Sequence, residues 1–435
     1  MSFHSRKAVG VVLGLMFVAA VTAAAQESPE ARSTGLPIKK ATWTFNLDAG
    51  LGAFGFMNSL YTPAHPDPSG NLGDNWVESF VRPAISMTLP AAKGELYGKV
   101  SVVGERTFAA PPPLVGQEAS SFQVEDLHLG WRSDMLDFTV GRAQYTIGHG
   151  LILWDGGGEG GTRGGFWSNA RKAWQFAGIA RIKPKNHTFE AFYLDRDEVP
   201  ESETGTRVFG ANYQLALGDA TTLGATYMQF LSDSLPARDE LGVFNVRAYT
   251  SPLKSLPGLG IEAEYALESN SLVESSAFNV LASYELSKAR WKPRLSYRYA
   301  FFQGDDGGTT KSEAFDPLIP GFYDWGTWWQ GEIAGEYFLP NSNLISHQVR
   351  LHVTPSESVS GGLFGYQFQF DQPAAAGATS SSVAFEIDGY ADWKINSNFL
   401  ASFIFAYAMP QDGGTQATGR TESFLYGMIY IAYSY

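Results

Sequence analysis

Seven cationic side chains recur in stretches whose other residues alternate between apolar and polar: Arg82, Lys99, Arg181, Arg247, Arg294, Arg298 and Arg350. Carboxylates share the same polar register, namely Glu78, Asp126, Glu190, Glu262, Glu264, Glu285, Glu386, Asp388 and Asp392. A guanidinium binds a carboxylate through two parallel hydrogen bonds, and rings of one charge set the selectivity of a pore. These residues therefore predict one of two arrangements: cations lining a passage for an anionic solute, or Arg–carboxylate pairs across a wall. Arg142 follows the parity of Phe138 and Val140, and a bulge at Gly141 is needed to turn it to the polar side.

Other chemistries find less support. The chain has no Cys, which excludes disulfides, thiolate metal sites and a cysteine nucleophile. Of the histidines His4, His65, His128, His149, His187, His347 and His352, only His128 and His352 combine a strand position with polar parity. Neither has an evident serine partner, so no enzyme is expected. The run Trp154–Gly161 is rich in glycine, but no Gly-Lys-Ser/Thr follows, so it is no phosphate loop. Asp305–Asp306, and Asp155 with Glu159, lack the spacing of a calcium loop. Neither a metal nor a cofactor is expected. The formal charge of -13 argues against nucleic acid as a partner.

The charged residues must be positioned by strands. In Glu78–Leu89, Val81, Ile85, Met87 and Leu89 fall on one side and Glu78, Arg82, Ser86 and Thr88 on the other. Leu295, Tyr297, Tyr299 and Phe301 alternate with Arg294, Ser296, Arg298 and Ala300. Side chains of a strand point to opposite faces with period two. The 435 residues include 47 Gly, 30 Phe, 20 Tyr and 11 Trp, with only 17% charged residues. A charged group facing lipid costs about 2–4 kcal/mol at mid-membrane, so the apolar face is assigned to lipid and the charged face to a lumen. A soluble sandwich also alternates, but its strands are usually shorter and its polar face is the outer one.

Export is expected from the first residues. Arg6 and Lys7 precede the apolar run Val9–Val21, and Ala23-Ala24-Ala25 makes a cleavage site, so 1–25 reads as a signal peptide. Residues 26–41 are expected to form a short periplasmic segment and 42–435 a transmembrane antiparallel β-barrel of the bacterial outer membrane. Its surroundings would be outer-membrane lipid and lipopolysaccharide. At the C-terminus, Leu425, Ile429, Ile431, Tyr433 and Tyr435 share a face, the pattern of a last barrel strand.

Nineteen stretches read as strands, whereas bacterial single-chain barrels have even counts. Short connections should all be periplasmic and long ones extracellular. That alternation inverts at 327–338 and is restored when this stretch is removed, leaving eighteen strands. Residues 327–338 then join a loop spanning 303–342, where Trp329, Ile333 and Tyr337 are spaced for a short helix. This loop and Thr146–Lys172 are long enough to fold back into the lumen of so wide a barrel.

Two segments carry a family resemblance. One is Gly141-Arg142-Ala143-Gln144-Tyr145 followed by Gly148-His149-Gly150. The other runs from Phe315-Asp316-Pro317-Leu318-Ile319-Pro320-Gly321 through Trp325-Gly326-Thr327-Trp328-Trp329-Gln330-Gly331-Glu332 to Asn341-Ser342-Asn343-Leu344. With them, residues 41–435 resemble the alginate export porins of the outer membrane. The resemblance implies an eighteen-stranded barrel, an arginine-rich constriction and secretion of an anionic polyuronate, with a periplasmic export scaffold as partner. It implies Arg142 as a lumen arginine, and less closely Arg82, Arg350 and Asp195. The alternative is a passive, substrate-specific porin for uptake of small anions or sugars.

Overall fold

The structure is a computed structural model that describes residues 41–58, 74–91, 93–108, 119–253, 255–321, 330–335 and 338–435. The expected signal peptide, and all of 26–41 except Ala41, lie outside the described residues. Eighteen strands follow in chain order: β1 (Thr42–Met57), β2 (Asp74–Ala91), β3 (Gly94–Phe108), β4 (Ser120–Arg132), β5 (Leu136–Arg142), β6 (Phe176–Ile182), β7 (His187–Asp195), β8 (Arg207–Leu217), β9 (Thr221–Leu231), β10 (Leu241–Thr250), β11 (Leu259–Ser269), β12 (Glu274–Glu285), β13 (Arg294–Phe302), β14 (Leu344–Ser356), β15 (Val359–Gln369), β16 (Ser382–Lys394), β17 (Phe399–Pro410) and β18 (Phe424–Ser434).

Each strand pairs antiparallel with its chain neighbours, and β18 closes the ring on β1 from Asp48↔Ser434 to Met57↔Leu425. The closed barrel has a mean radius of 18 Å. Closure leaves no strand edge whose N–H and C=O groups would face hydrocarbon unpaired. The two faces follow the alternation. Val81, Ile85, Val349, Leu351, Phe403, Phe405, Ile429 and Ile431 are exposed on the outside. Glu78, Glu264, Arg298, Gln348, Glu386 and Asp388, which stand on the opposite register, are buried within the wall and lumen. The chain is a closed antiparallel β-barrel with an apolar outer face.

Strand β13 pairs directly with β14 through Arg298↔Gln348, so 327–338 contributes no spanning strand. Within it, Gly331–Gly335 forms one π-helical turn. Of the expected helical trio only Ile333 is described, and it is buried.

Two expectations need correction. β5 and β6 are shorter than 136–145 and 173–183, because residues 143–145 and 173–175 leave the wall with the loop they flank. Connection length also fails as a guide at one hairpin, since 270–273 is shorter than the turns 251–258 and 286–293 on the opposite rim. Asn270 closes that tight connection, its Oδ1 accepting from the N–H groups of Leu272 (2.8 Å) and Val273 (2.7 Å). A side-chain turn of this kind needs few residues.

Candidate functional site: two inward loops and the arginines around them

The loop 143–175 turns inward, with Ile147, Leu151, Ile152, Leu153 and Trp174 almost without solvent contact. It meets the second long loop, 303–343. The Trp154 N–H donates to the Ile319 carbonyl at 2.8 Å, and the Gly321 N–H donates to the Gly150 carbonyl at 3.0 Å. The glycine run permits this packing. A Cβ on Gly157 would lie 1.9 Å from the Arg171 carbonyl oxygen, and one on Gly156 would lie 2.3 Å from Cα of Trp174. Between the loops lies a cleft of about 440 Å3 lined by Trp154, Asp155, Lys172, Arg196, Gln330 and Asn341, among others.

Carboxylates of the wall hold both loops by their backbone. Glu78 on β2 accepts from the N–H groups of Trp167 (3.0 Å) and Ser168 (2.9 Å). Glu105 on β3 accepts from Ala170 (2.7 Å), and Glu125 on β4 from Lys172 (2.7 Å) and Ala173 (2.9 Å). On the other side, Glu386 of β16 accepts from Ile333 and Ala334, both at 2.8 Å, and Asp388 from Glu332 at 3.1 Å. Glu125 and Asp126 are adjacent, yet both are buried. A bulge allows this: the β3–β4 register jumps from Val100↔Leu127 to Val102↔Val124.

Three guanidinium groups gather on Asp197. Arg142 reaches its Oδ2 at 2.7 Å and Arg163 at 3.5 Å, and Arg171 donates to the same oxygen. Burial alone would raise the Asp197 pKa, but Arg142, Arg171 and Arg163 together hold it below the usual carboxylate value. Asp155, beside the cleft, behaves oppositely. Burial pushes its pKa up to about 7, and Lys172, 3.7 Å away, only partly offsets this.

The predicted residues fall in distinct settings. Arg82 divides between Asp48 (3.0 Å) and the Ala170 carbonyl (2.8 Å), so it also holds the inward loop. Lys99 pairs with the buried Asp126 at 2.8 Å, and Asp126 also accepts from the Ser101 hydroxyl. Arg181 sits between Glu190 and Asp137. Arg247 is buried and donates to Thr226 and to the Asn212 and Asn245 side-chain carbonyls. Arg294 donates to Ser283 near one rim, and Arg298 is buried on the same strand. Arg350 lies over the rings of Phe364 (4.8 Å) and Tyr390 (5.3 Å) and donates to the Tyr390 hydroxyl. Arg142 does turn inward, and Gly141 before it has φ +122°.

Asp195 stands on the other register of its strand. It ends β7 on the register of Ala191 and Tyr193, opposite the inward Glu190, Phe192 and Leu194. The carboxylate that collects the arginines is Asp197, which is reached only after the strand ends and is buried by a bridge to Gly157. Alternation could not find Asp197, Arg163 or Arg171, since all three lie in loops. Nor could it find Glu125, whose inward aim depends on the bulge. A further loop pair, Arg238 with Asp316, ties 232–240 to the second inward loop, with Nε to Oδ2 at 2.8 Å. His128 faces the Arg142 carbonyl and His352 the Tyr390 hydroxyl. Asp305, Asp306 and Glu313 bring their carboxylates within 4.8 Å of one another at the loop surface, which alone makes no cation site.

In most of the ion pairs the cation is the more exposed partner. Side-chain exposure is 31% for Lys99 against 2% for Asp126, 23% for Arg196 against 4% for Glu198, and 18% for Arg142 against 9% for Asp197. Six pairs among the described residues are the reverse: Arg82 with Asp48, at 18% against 34%, Arg163 and Arg171 with Asp197, Arg207 with Asp233, Arg238 with Asp316 and Lys311 with Glu274.

Comparison with known proteins places this barrel by its shape. No family model matches the chain, and no curated protein does. The resemblance to alginate export porins therefore remains one of motifs. Solved structures do match. Acinetobacter baumannii OccAB2 aligns with a TM-score of 0.59 at 13% identity, covering 90% of this chain and 98% of that one. Pseudomonas aeruginosa OccK7 (OpdD) aligns with 0.56 at 10% identity, covering 91% and 98%. Pseudomonas aeruginosa OpdK, solved with vanillate, aligns with 0.55 at 12% identity, covering 90% and 98%. The shared feature is the fold of an eighteen-stranded outer-membrane barrel.

Proposed function

We propose that the chain is a substrate-selective diffusion channel for small anionic solutes, narrowed by its two inward loops. The observation that carries this reading is the polarity of five ion pairs on the wall and the loops. Although the chain is net acidic, Lys99, Arg142, Arg181, Lys172 and Arg196 each present the cation further into solvent than its carboxylate. A passing anion thus meets ammonium and guanidinium groups first, and charges lining a narrow, water-filled passage select by sign. OpdK, similar in fold, was solved with vanillate, which is a carboxylate. Secretion of a polyuronate with a periplasmic scaffold would use the same cations, but loops anchored across the lumen favour small solutes over a polymer.

The test is planar-bilayer recording across a KCl gradient, followed by addition of gluconate, glucose or uronate oligomers. A zero-current potential of the anionic sign, with block by gluconate and none by glucose, is expected. A cation-selective or unselective pore indifferent to gluconate would overturn the reading. Tight block by long uronate oligomers alone would favour polymer export.

A further inference from the structure

We infer that Glu78, Glu105 and Glu125 are positioning residues that set the width of the passage by fastening the backbone of 167–173 to the barrel wall. The inference deepens the channel reading and rests on it for the word passage. The three carboxylates stand on consecutive strands β2, β3 and β4. They take the loop's N–H groups in order: Trp167 and Ser168, then Ala170, then Lys172 and Ala173. Arg82 takes the Ala170 carbonyl at 2.8 Å from the same wall. Charged wall groups thus replace the strand neighbours that an irregular segment inside a barrel lacks.

All three carboxylates are buried, at 0% exposure for Glu78 and Glu125 and 3% for Glu105. Buried acids are costly unless their oxygens are satisfied. The loop's amides, with the Trp76 indole N–H, satisfy Glu78, and loop amides satisfy one oxygen each of Glu105 and Glu125, whose other oxygens have no hydrogen-bond partner among the described residues. The hydrogen bonds that run from the loop to these acids come from main-chain N–H groups. The contact therefore fixes where the loop runs and leaves its side chains, Lys172 among them, to face the cleft.

The arrangement explains why these acids occupy lumen positions in a channel for anions. Removing them should move the loop, with loss of negative charge as a secondary effect. The absence of native cysteine allows a direct readout through Ser168→Cys. In the otherwise unaltered chain, Cys at 168 should react slowly with a membrane-impermeant maleimide. In the background of Glu78→Ala, Glu105→Ala and Glu125→Ala combined, labelling should accelerate at least tenfold and single-channel conductance should at least double. Heat-modifiable migration confirms that the barrel is folded, and each single variant is run in case the triple fails to assemble. Glu105→Gln keeps an acceptor oxygen for Ala170 and should restore most of what Glu105→Ala loses.

Folded variants with unchanged labelling and unchanged conductance would overturn the inference. Faster labelling in a protein that conducts nothing in either form would retain the fastening role and refute the channel reading, so the two failures are separable. An anion selectivity that rises while labelling stays slow would show that the acids act by charge alone, and would also overturn it.

Discussion

Arg142 and Asp197 meet at 2.7 Å although 55 positions separate them in the chain. Arg142 ends β5 and Asp197 follows β7, so the pair ties the outset of the inward loop to the connection between β7 and β8. Arg163 and Arg171 share the same carboxylate, and Arg171 has no solvent contact. Three cations around one buried anion make Asp197 the group whose loss is least tolerable.

Asp197→Ala is therefore expected to cost about 3–5 kcal/mol, the usual penalty for leaving buried charges unpaired. The urea midpoint of the folded barrel measures this. Arg142→Ala should cost less, because Arg163 and Arg171 still neutralise Asp197. Since the Asp197 pKa is depressed in the fold, its contribution is complete above the ordinary value of 3.8 and disappears as pH falls through the folded value. Wild-type stability should thus drop below pH 3.8, and the Ala variant should lack that component of the drop.

Asp155 gives the opposite pH dependence. Its folded pKa of about 7 lies above the ordinary 3.8. The folded loop binds the proton more tightly than the unfolded chain, so stability declines as pH rises from about 4 to about 7. Hydrogen exchange of the amides in 143–175 should be slower at pH 5 than at pH 8, after correction for the intrinsic rate. In Asp155→Asn this difference should shrink. An unchanged pH profile in the variant would refute the assignment.

The second inward loop depends on Arg238. Its guanidinium binds Asp316 through both Nε and a terminal nitrogen, and the two side chains are only 12% and 19% exposed. Arg238→Ala should loosen 303–321 by about 1.5–3 kcal/mol, the range for hydrogen bonds to charged groups. Limited proteolysis should then cut this loop in folded barrels faster than in wild type. The barrel's own unfolding midpoint should stay nearly unchanged, because Glu386 and Asp388 anchor Glu332, Ile333 and Ala334 independently.

The wall was readable from the sequence because a strand in a membrane barrel obeys one rule over its whole length. Leu295 to Phe301 and Glu78 to Leu89 sort by parity alone, and the even strand count together with the alternation of short and long connections disposed of 327–338. The interior was readable only where it belongs to the wall. Arg82, Lys99 and Arg247 were placed by parity, whereas Glu125 needed a bulge that no pattern announces. Asp197, Arg163 and Arg171 needed the tertiary course of a loop whose glycines, 156 and 157, signal close packing but not the partner they pack against. Asp195, at the end of β7, lies two residues before Asp197 and on the register of Ala191 and Tyr193.

The outer face supplies a prediction independent of the pore. Phe405 on β17 is 58% exposed and pairs with Gly389 and Gly427 on the neighbouring strands, so its side chain faces the hydrocarbon of the membrane. Ser402, on the opposite register of the same strand, is buried and donates to Asp392 at 2.6 Å. Phe405→Arg should destabilise the barrel by about 2–4 kcal/mol if it sits near mid-membrane, and by less toward either interface. Ser402→Ala should cost only the hydrogen bond to a charged group, about 1.5–3 kcal/mol, and should leave lipid contact untouched. Unfolding in lipid vesicles distinguishes them: the Phe405→Arg penalty should change with bilayer thickness, whereas that of Ser402→Ala should not. Equal tolerance of arginine at 405 in thick and thin bilayers would mean that this face does not meet the hydrocarbon.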